Sequence, residues 1–311
     1  MKKIIQLFRF YGLHAFIILS RNIFFRLHQI LGINDALLSR VYDYHMLLPL
    51  KYDGIGRVLY VLGERELDHK WMIDNEVSPG NVILDLGVNI GYYAIMEAKK
   101  MQGVGKIYAI EPDPRNIEFL KRNIELNNIS DIVYFEQGAI SNKGGQAKFT
   151  LSSKTNLNSF ALEENDSRSI TVPLFDFGEY LKDKDRIDLV RMDIEGHEIE
   201  VFESLIRYHA EFPKDIPRKI IFETHLRVYK KRDNQMREVL NKMFTIGYTI
   251  KYLSSAEEST TALHGMGYSP FKVVNDYPFI RGLYVNVNQE HAINCIVDYG
   301  GVRTVLLELK E

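Results

Sequence analysis

Cysteine is nearly absent, Cys295 being the single one in 311 residues. That excludes an internal disulfide framework and any cysteine-rich zinc or iron–sulfur centre, and a reducing, cytoplasmic setting suits the chain best. An excess of either charge is lacking too: 39 basic residues stand against 41 acidic ones, a formal charge of −2 and a pI near 6.5. No global field draws the protein to a polyanion, so nucleic acid is a disfavoured partner. Long hydrophobic runs are missing. In the apolar start of the chain the longest uncharged run, Phe10 to Ser20, is about half of the roughly 20 residues needed to cross a bilayer, and no small-residue cleavage site follows it. Acids are missing from the first 34 residues, which carry Lys2, Lys3, Arg9, Arg21 and Arg26 among aromatic and aliphatic side chains. This start is expected to be an amphipathic helix that caps the main domain, makes an oligomer contact, or lies peripherally on an anionic membrane at its inner face.

What is present is an ordinary globular composition, 46% hydrophobic and 26% charged, enough for one large core. From residue 81 onward, apolar runs of strand length alternate with stretches of helical period, the pattern of a sheet wound with crossover helices. The expected core strands are Asn81–Gly87, Lys106–Glu111, Ile132–Glu136, Ile187–Asp193, Lys219–Thr224, Tyr248–Leu253 and Ile280–Val287, seven in all. Helices are expected over Tyr92–Met101, Asn116–Asn127, His197–His209 and Asp233–Phe244, with Pro114 tolerated at a helix start. Ala147–Leu151 and Ile170–Leu174 read as short strands around a polar loop, and the tail 290–311 as an edge element.

Asp85-Leu86-Gly87-Val88-Asn89-Ile90-Gly91 ends a strand and opens a helix, so its glycines let the backbone turn tightly and approach a ligand. Asn89 stands where a dinucleotide fingerprint has its second glycine, so the spacing does not suit a pyrophosphate. Glu111 ends the next strand about 20 residues after Gly91, where a carboxylate accepts both hydroxyls of a ribose. Asp193-Ile194-Glu195-Gly196-His197 and Phe222-Glu223-Thr224-His225 end adjacent strands, where open α/β sheets place their ligands. Asp193, Glu195, Glu223, His225 and His197 are therefore the candidate catalytic residues, with a histidine suited to the role of base near neutral pH. Asp193, Glu195, Glu223 and His225 also offer a mixed oxygen and nitrogen ligand set for Mg2+ or Mn2+. Asn156-Leu157-Asn158-Ser159 with Tyr229, Tyr268 and Phe271 are candidates for an acceptor pocket.

The runs D-L-G-V-N-I-G-Y-Y, E-P-D-P-R-N with the following L-x-x-N-I-x-L-N (Leu120 to Asn127), and I-D-L-V-R-M-D-I-E-G-H-E resemble the FkbM-type methyltransferases, over roughly residues 50–255. The resemblance implies a Rossmann-like class I methyltransferase fold with strand order 3-2-1-4-5-7-6. It implies S-adenosylmethionine as donor and a hydroxyl, often on a sugar, glycan or glycolipid, as acceptor of an O-methylation. Asp85, Gly87, Asn89 and Gly91 match its first donor motif and Glu111 its ribose acid. Gly138 and Ala139 are expected against the adenine, Asp193 beneath the sulfonium, and Glu66 over the donor's methionine end. Val88 replaces a usual Ala and Arg191 a usual Lys, neither touching the expected chemistry. The expected layout is a helical extension 1–50, a methyltransferase domain 51–289 and the edge element 290–311. Alternatives are a methyltransferase acting on another small molecule or on nucleic acid, and a non-catalytic donor-binding module.

Overall fold

The computed structural model describes every residue except 1, 33, 52–53, 152–158, 161–168, 233 and 311. Asn156, Leu157, Asn158 and Asp233 thus lie outside the described residues. The chain starts with two helices, α1 (Lys2–Tyr11) and α2 (Ala15–Leu31), the second ended by Gly32 in the left-handed region at φ 62°. It then turns through a two-stranded hairpin, β1 (Ala36–Val41) and β2 (Tyr44–Pro49), before α3 (Gly54–Leu62) and α4 (Leu67–Glu76).

The extension is therefore helical only to Leu31, not to residue 50. Val41, Tyr44, Met46 and Leu48 of the hairpin are buried in the same apolar cluster as Ile83, Tyr92 and Leu120, so residues 36–49 are part of the main core. Asn123 fastens them there. Its Oδ1 accepts from the Leu47 N–H (2.7 Å), and its Nδ2 donates to the carbonyls of Leu47 (3.2 Å) and Ile90 (2.9 Å). Asn127 Nδ2 adds a bond to the His45 carbonyl at 2.8 Å.

The wound sheet begins at β3 (Val82–Leu86), followed by α5 (Tyr92–Lys100), β4 (Lys106–Glu111), α6 (Pro114–Leu126) and β5 (Val133–Gln137). Asp113 caps α6 by accepting from the Arg115 N–H, and Pro114 sits at its first turn, where no N–H is needed. A small second sheet interrupts the winding: β6 (Ala139–Ser141), β7 (Gly145–Thr150), β8 (Ser159–Phe160) and β9 (Ser169–Asp176), in the order β6-β9-β7-β8. β7 and β9 are the two short strands expected there, antiparallel with Ala147 opposite Val172. After α7 (Phe177–Lys182) the main sheet resumes with β10 (Leu189–Met192), α8 (Glu198–Glu211), β11 (Lys219–Glu223), α9 (Leu226–Tyr229), α10 (Gln235–Thr245) and β12 (Tyr248–Ser255). The chain ends through β13 (Lys272–Asp276), β14 (Phe279–Tyr284), α11 (Gln289–Asn294) and β15 (Val302–Leu309).

β5, β4, β3, β10 and β11 are parallel neighbours, and all four residues of β10 are buried, as befits strands covered on both faces. The full order is β13-β14-β12-β15-β11-β10-β3-β4-β5, nine strands rather than seven. The expected last core strand, Ile280–Val287, lies outside β12 as β14, and the tail expected at the edge enters the middle as β15, between β11 and β12. Burial explains the exchange. Val305 and Leu307 fill the apolar cluster on one side of the sheet and Leu306 the cluster on the other, whereas Phe279 and Ile280 are exposed. A strand that is apolar on both faces is stable only with neighbours on both sides.

Candidate active site

A cavity of about 940 Å³ opens at the carboxyl ends of β3, β4, β10 and β11, where winding in opposite directions leaves a crevice. One end is made largely of backbone. Gly87 holds φ at +76°, and a Cβ there would lie 2.2 Å from the Asp193 carbonyl oxygen, so the first turn closes only with glycine. Asn89, at φ 53°, bonds its own side chain to the Ile90 N–H at 2.7 Å. Glu111 reaches under this turn. Its Oε2 accepts from the Asn89 N–H at 2.9 Å, and its Oε1 from the Asp113 N–H at 2.9 Å and from Asn116 Nδ2 at 3.1 Å. Burial pushes its carboxyl up to about 7 against these three bonds. Gly138 and Ala139 line the wall beside it, and a Cβ on Gly138 would meet the Phe175 ring at 2.5 Å.

The other end is made of charged side chains. His225 Nε2 stands 3.5 Å from Glu195 Oε2 and 3.8 Å from Asp193 Oδ1, while its Nδ1 lies 3.0 Å from Glu198 Oε1. Glu198 is fully buried and accepts a second bond from the Tyr229 hydroxyl at 2.9 Å. Burial alone would lower the His225 pKa, but Glu198, Asp193 and Glu223 override it and raise it to about 10. His225 is accordingly an imidazolium at neutral pH. Burial and the neighbouring Asp193 push Glu195 up to about 7. Glu195 also holds φ at 53°, a conformation that an L residue keeps only when its surroundings enforce it.

Glu223 does not join this trio. Arg303 grips it with both terminal nitrogens, at 2.6 and 2.8 Å, and reaches Glu66 at 2.6 Å. Burial and Asp193 raise the pKa of Glu223 against the lowering pull of Arg303. Glu66 is buried, and burial would raise its pKa, but Arg65, Arg303 and the Tyr93 hydroxyl hold it well below the usual carboxylate range. Among the described residues, the group whose ligand atoms all lie within 4.8 Å of one another is Asp193, Glu195 and His225, so the four-residue metal set expected from the sequence loses Glu223 to its ion pair.

Gly87, Asn89, Glu111, Gly138, Ala139, Asp193, Glu195, His197, Glu223, His225 and Glu66 all line the cavity. Asp85 and Gly91 do not. Asp85 is fully buried beneath it, its Oδ1 3.1 Å from Arg191 Nη1, and Gly91 packs so closely that a Cβ would meet Leu120 at 2.8 Å. His197 faces the wall with Nε2 2.9 Å from Ser141 Oγ, and burial lowers its pKa. None of the three aromatics suggested for an acceptor pocket lines this cavity: Tyr229 is buried on Glu198, Tyr268 bonds His291 at 2.9 Å, and Phe271 packs on Trp71.

Sequence reasoning missed Arg303, Glu198 and Tyr93, and it set Arg191 aside. Arg191 is buried over the Tyr93 ring at 4.0 Å and links Asp85 to Asp193, with 3.6 Å to the latter. Its position two residues before Asp193 places it on the same side of the strand, a signal that was available.

A doubly wound sheet with a glycine turn, a carboxylate at the end of the second strand and one cavity across the carboxyl ends defines a Rossmann-like ligand-binding protein. The sequence profile described as the methyltransferase FkbM domain matches residues 85–250, just over half of the chain, and the chain belongs to that family. Methyltransferase sdnD of Sordaria araneosa is 26% identical over 202 residues, spanning 54% of this chain and 77% of that protein. Ribosomal protein L11 methyltransferase of Chloroflexus aurantiacus is 34% identical over 76 residues, and the match spans 24% of this chain and only 22% of that relative. Among solved structures, methyltransferase FkbM from Methylobacillus flagellatus KT aligns at a TM-score of 0.40 and 15% identity, covering 67% of this chain and 44% of that one. Among the described residues, no helix is long and apolar enough to cross a membrane.

Proposed function

We propose that this protein is an S-adenosylmethionine-dependent O-methyltransferase whose acceptor is a hydroxyl of a sugar, glycan or glycolipid. The observation that carries the reading is the division of one cavity into a turn-and-carboxylate end at Gly87, Asn89 and Glu111 and an acid–imidazole end at Asp193, Glu195 and His225. The volume of about 940 Å³ lies at the upper end of the range for small-molecule pockets. Glu111 is buried yet reachable from the cavity, suited to a ribose diol, and Gly87 lets the turn close against the Asp193 backbone at the cavity wall.

When bound, the donor supplies an electrophilic methyl group on a sulfonium. The chain's part is to hold the acceptor oxygen in line and to take its proton. His225, already protonated through Glu198, is a poor base and a good donor to the acceptor or to the neighbouring acids. Glu195, at about 7, is matched to receive the hydroxyl proton near neutral pH. The Gly87 turn, Glu111 and Asp193 would hold the donor, which would supply its methyl group to the acceptor oxygen, while Glu195 would take the hydroxyl proton. This assignment moves the base from histidine to glutamate.

A second reading is favoured by the close approach of Asp193, Glu195 and His225, which are spaced to hold a Mg2+ or Mn2+ ion if His225 gives up its proton. A chelator titration separates the two: loss of transfer restored by either ion supports the metal, and indifference supports Glu195. The primary test is calorimetry with S-adenosylmethionine, followed by transfer of a labelled methyl group to glycan and lipid-linked sugar extracts. Binding with transfer to a hydroxyl is expected. Absence of donor binding would overturn the reading, and binding without transfer to any acceptor would reduce it to a donor-binding module.

A further inference from the structure

Helices α1 and α2 bury one face and leave another bare. On the inner side, Ile18 packs with Leu7, Val61 and Leu62, and Phe25 meets the Tyr60 ring of α3 at 5.5 Å. On the outer side, Leu13 is 83% exposed, Phe16 60%, Ile23 61%, Leu27 50%, Ile30 80% and Leu31 62%. Phe16, Ile23, Leu27 and Ile30 follow one another at helical intervals, so they form a continuous stripe rather than scattered surface apolars. Arg9 and Arg26 are exposed on the same two helices, and the first acid in the chain is Asp35.

We propose that this face docks on an anionic lipid surface, with α2 lying in the plane of the headgroups. The combination fits an interfacial helix: an apolar stripe for the acyl boundary, cations for lipid phosphates and carboxylates, and too little length or apolarity to cross. Charge decides against a second copy as the occupant. A symmetric pairing of this face would bring the cations of both copies into one interface, with no acid on α1 or α2 of either copy to answer them. α2 packs on α3, and Ile55 of α3 lines the cavity, so one helix joins the docking helix to the site. The inference is independent of the methyl-transfer reading.

Co-sedimentation of the full chain with phosphatidylcholine vesicles, with and without phosphatidylserine, tests it. Retention is expected on the anionic vesicles and should fall with added salt. Arg9→Gln with Arg26→Gln should weaken it by about 30-fold, each cation contributing on the order of 1 kcal/mol at such a surface. Phe16→Ser with Ile23→Ser and Leu27→Ser should abolish it. All three side chains are more than half exposed or nearly so, Phe16 meeting the Phe8 ring in an edge contact, so each variant should still unfold in one cooperative transition, which serves as the folding control. Equal retention of wild type and both variants overturns the proposal. So does a failure of the wild type to sediment with anionic vesicles, or a concentration-dependent dimer in ultracentrifugation that the serine variant dissolves.

Discussion

At one end of the cavity the polar groups come from one stretch of chain, Gly87 through Asp113, and most of their bonds run within it; at the other they come from Glu66, Asp193, Glu195, Glu198, Glu223, His225 and Arg303. The shape of the first end is set by turn geometry and backbone N–H groups. The second is a web of opposed charges in which each group sets the protonation of the next, Glu198 holding His225 charged and Asp193 pushing up Glu195 and Glu223. The difference teaches where each property resides. On the proposed reading, affinity for a donor belongs to the local end and proton handling to the web.

The sharpest way to break that division is Glu195→Gln, which keeps shape and deletes the proton acceptor. Labelled methyl transfer should fall on the order of 100-fold while calorimetric donor affinity stays within about twofold. Loss of donor affinity instead would mean that the two ends are not separable. Glu111→Ala is the mirror experiment: removing a buried acceptor costs roughly 1–3 kcal/mol, so donor affinity should weaken about tenfold. An unchanged affinity in a folded variant would take the ribose role away from Glu111.

Of comparable size in energy, but on folding, is Asn123→Ala, which strips the hairpin of both bonds to Leu47 and the bond to Ile90. Denaturant unfolding should show a loss of roughly 1–3 kcal/mol. An unaltered midpoint would mean that apolar packing alone fastens β1 and β2.

The smallest expected effect is a pH dependence. With its carboxyl near 7, Glu111 takes up a proton as pH falls through that value and loses an acceptor site, so donor affinity should drop severalfold below pH 7. The stability sign is opposite. The folded protein holds this proton between the unfolded value near 4.5 and about 7, where the unfolded chain has released it, so the group's contribution to stability falls as pH rises through that window. Glu111→Gln should remove both trends, and persistence of the affinity trend in that variant would place the titrating group elsewhere.

The sequence by itself determined the parts written within a short stretch. The parallel strands β3, β4, β10 and β11 are apolar runs ending in turns. The Gly87 to Asn89 turn follows from backbone conformations few residues tolerate, and Glu111 follows from its place at a strand end. The acids after β10 and β11 were legible as neighbours because adjacent parallel strands end together. Only the tertiary structure decided that Val302–Leu309 enters the sheet between β11 and β12, because that depends on which strand pair leaves both of its faces to be covered. That insertion carries Arg303 to Glu223 and Glu66, 80 and 237 residues away in the chain, and so removes Glu223 from the metal set. The histidine's role was likewise decided in space: the residue type allows either protonation state near pH 7, and the buried Glu198 at 3.0 Å, with further acids close by, selects the charged one.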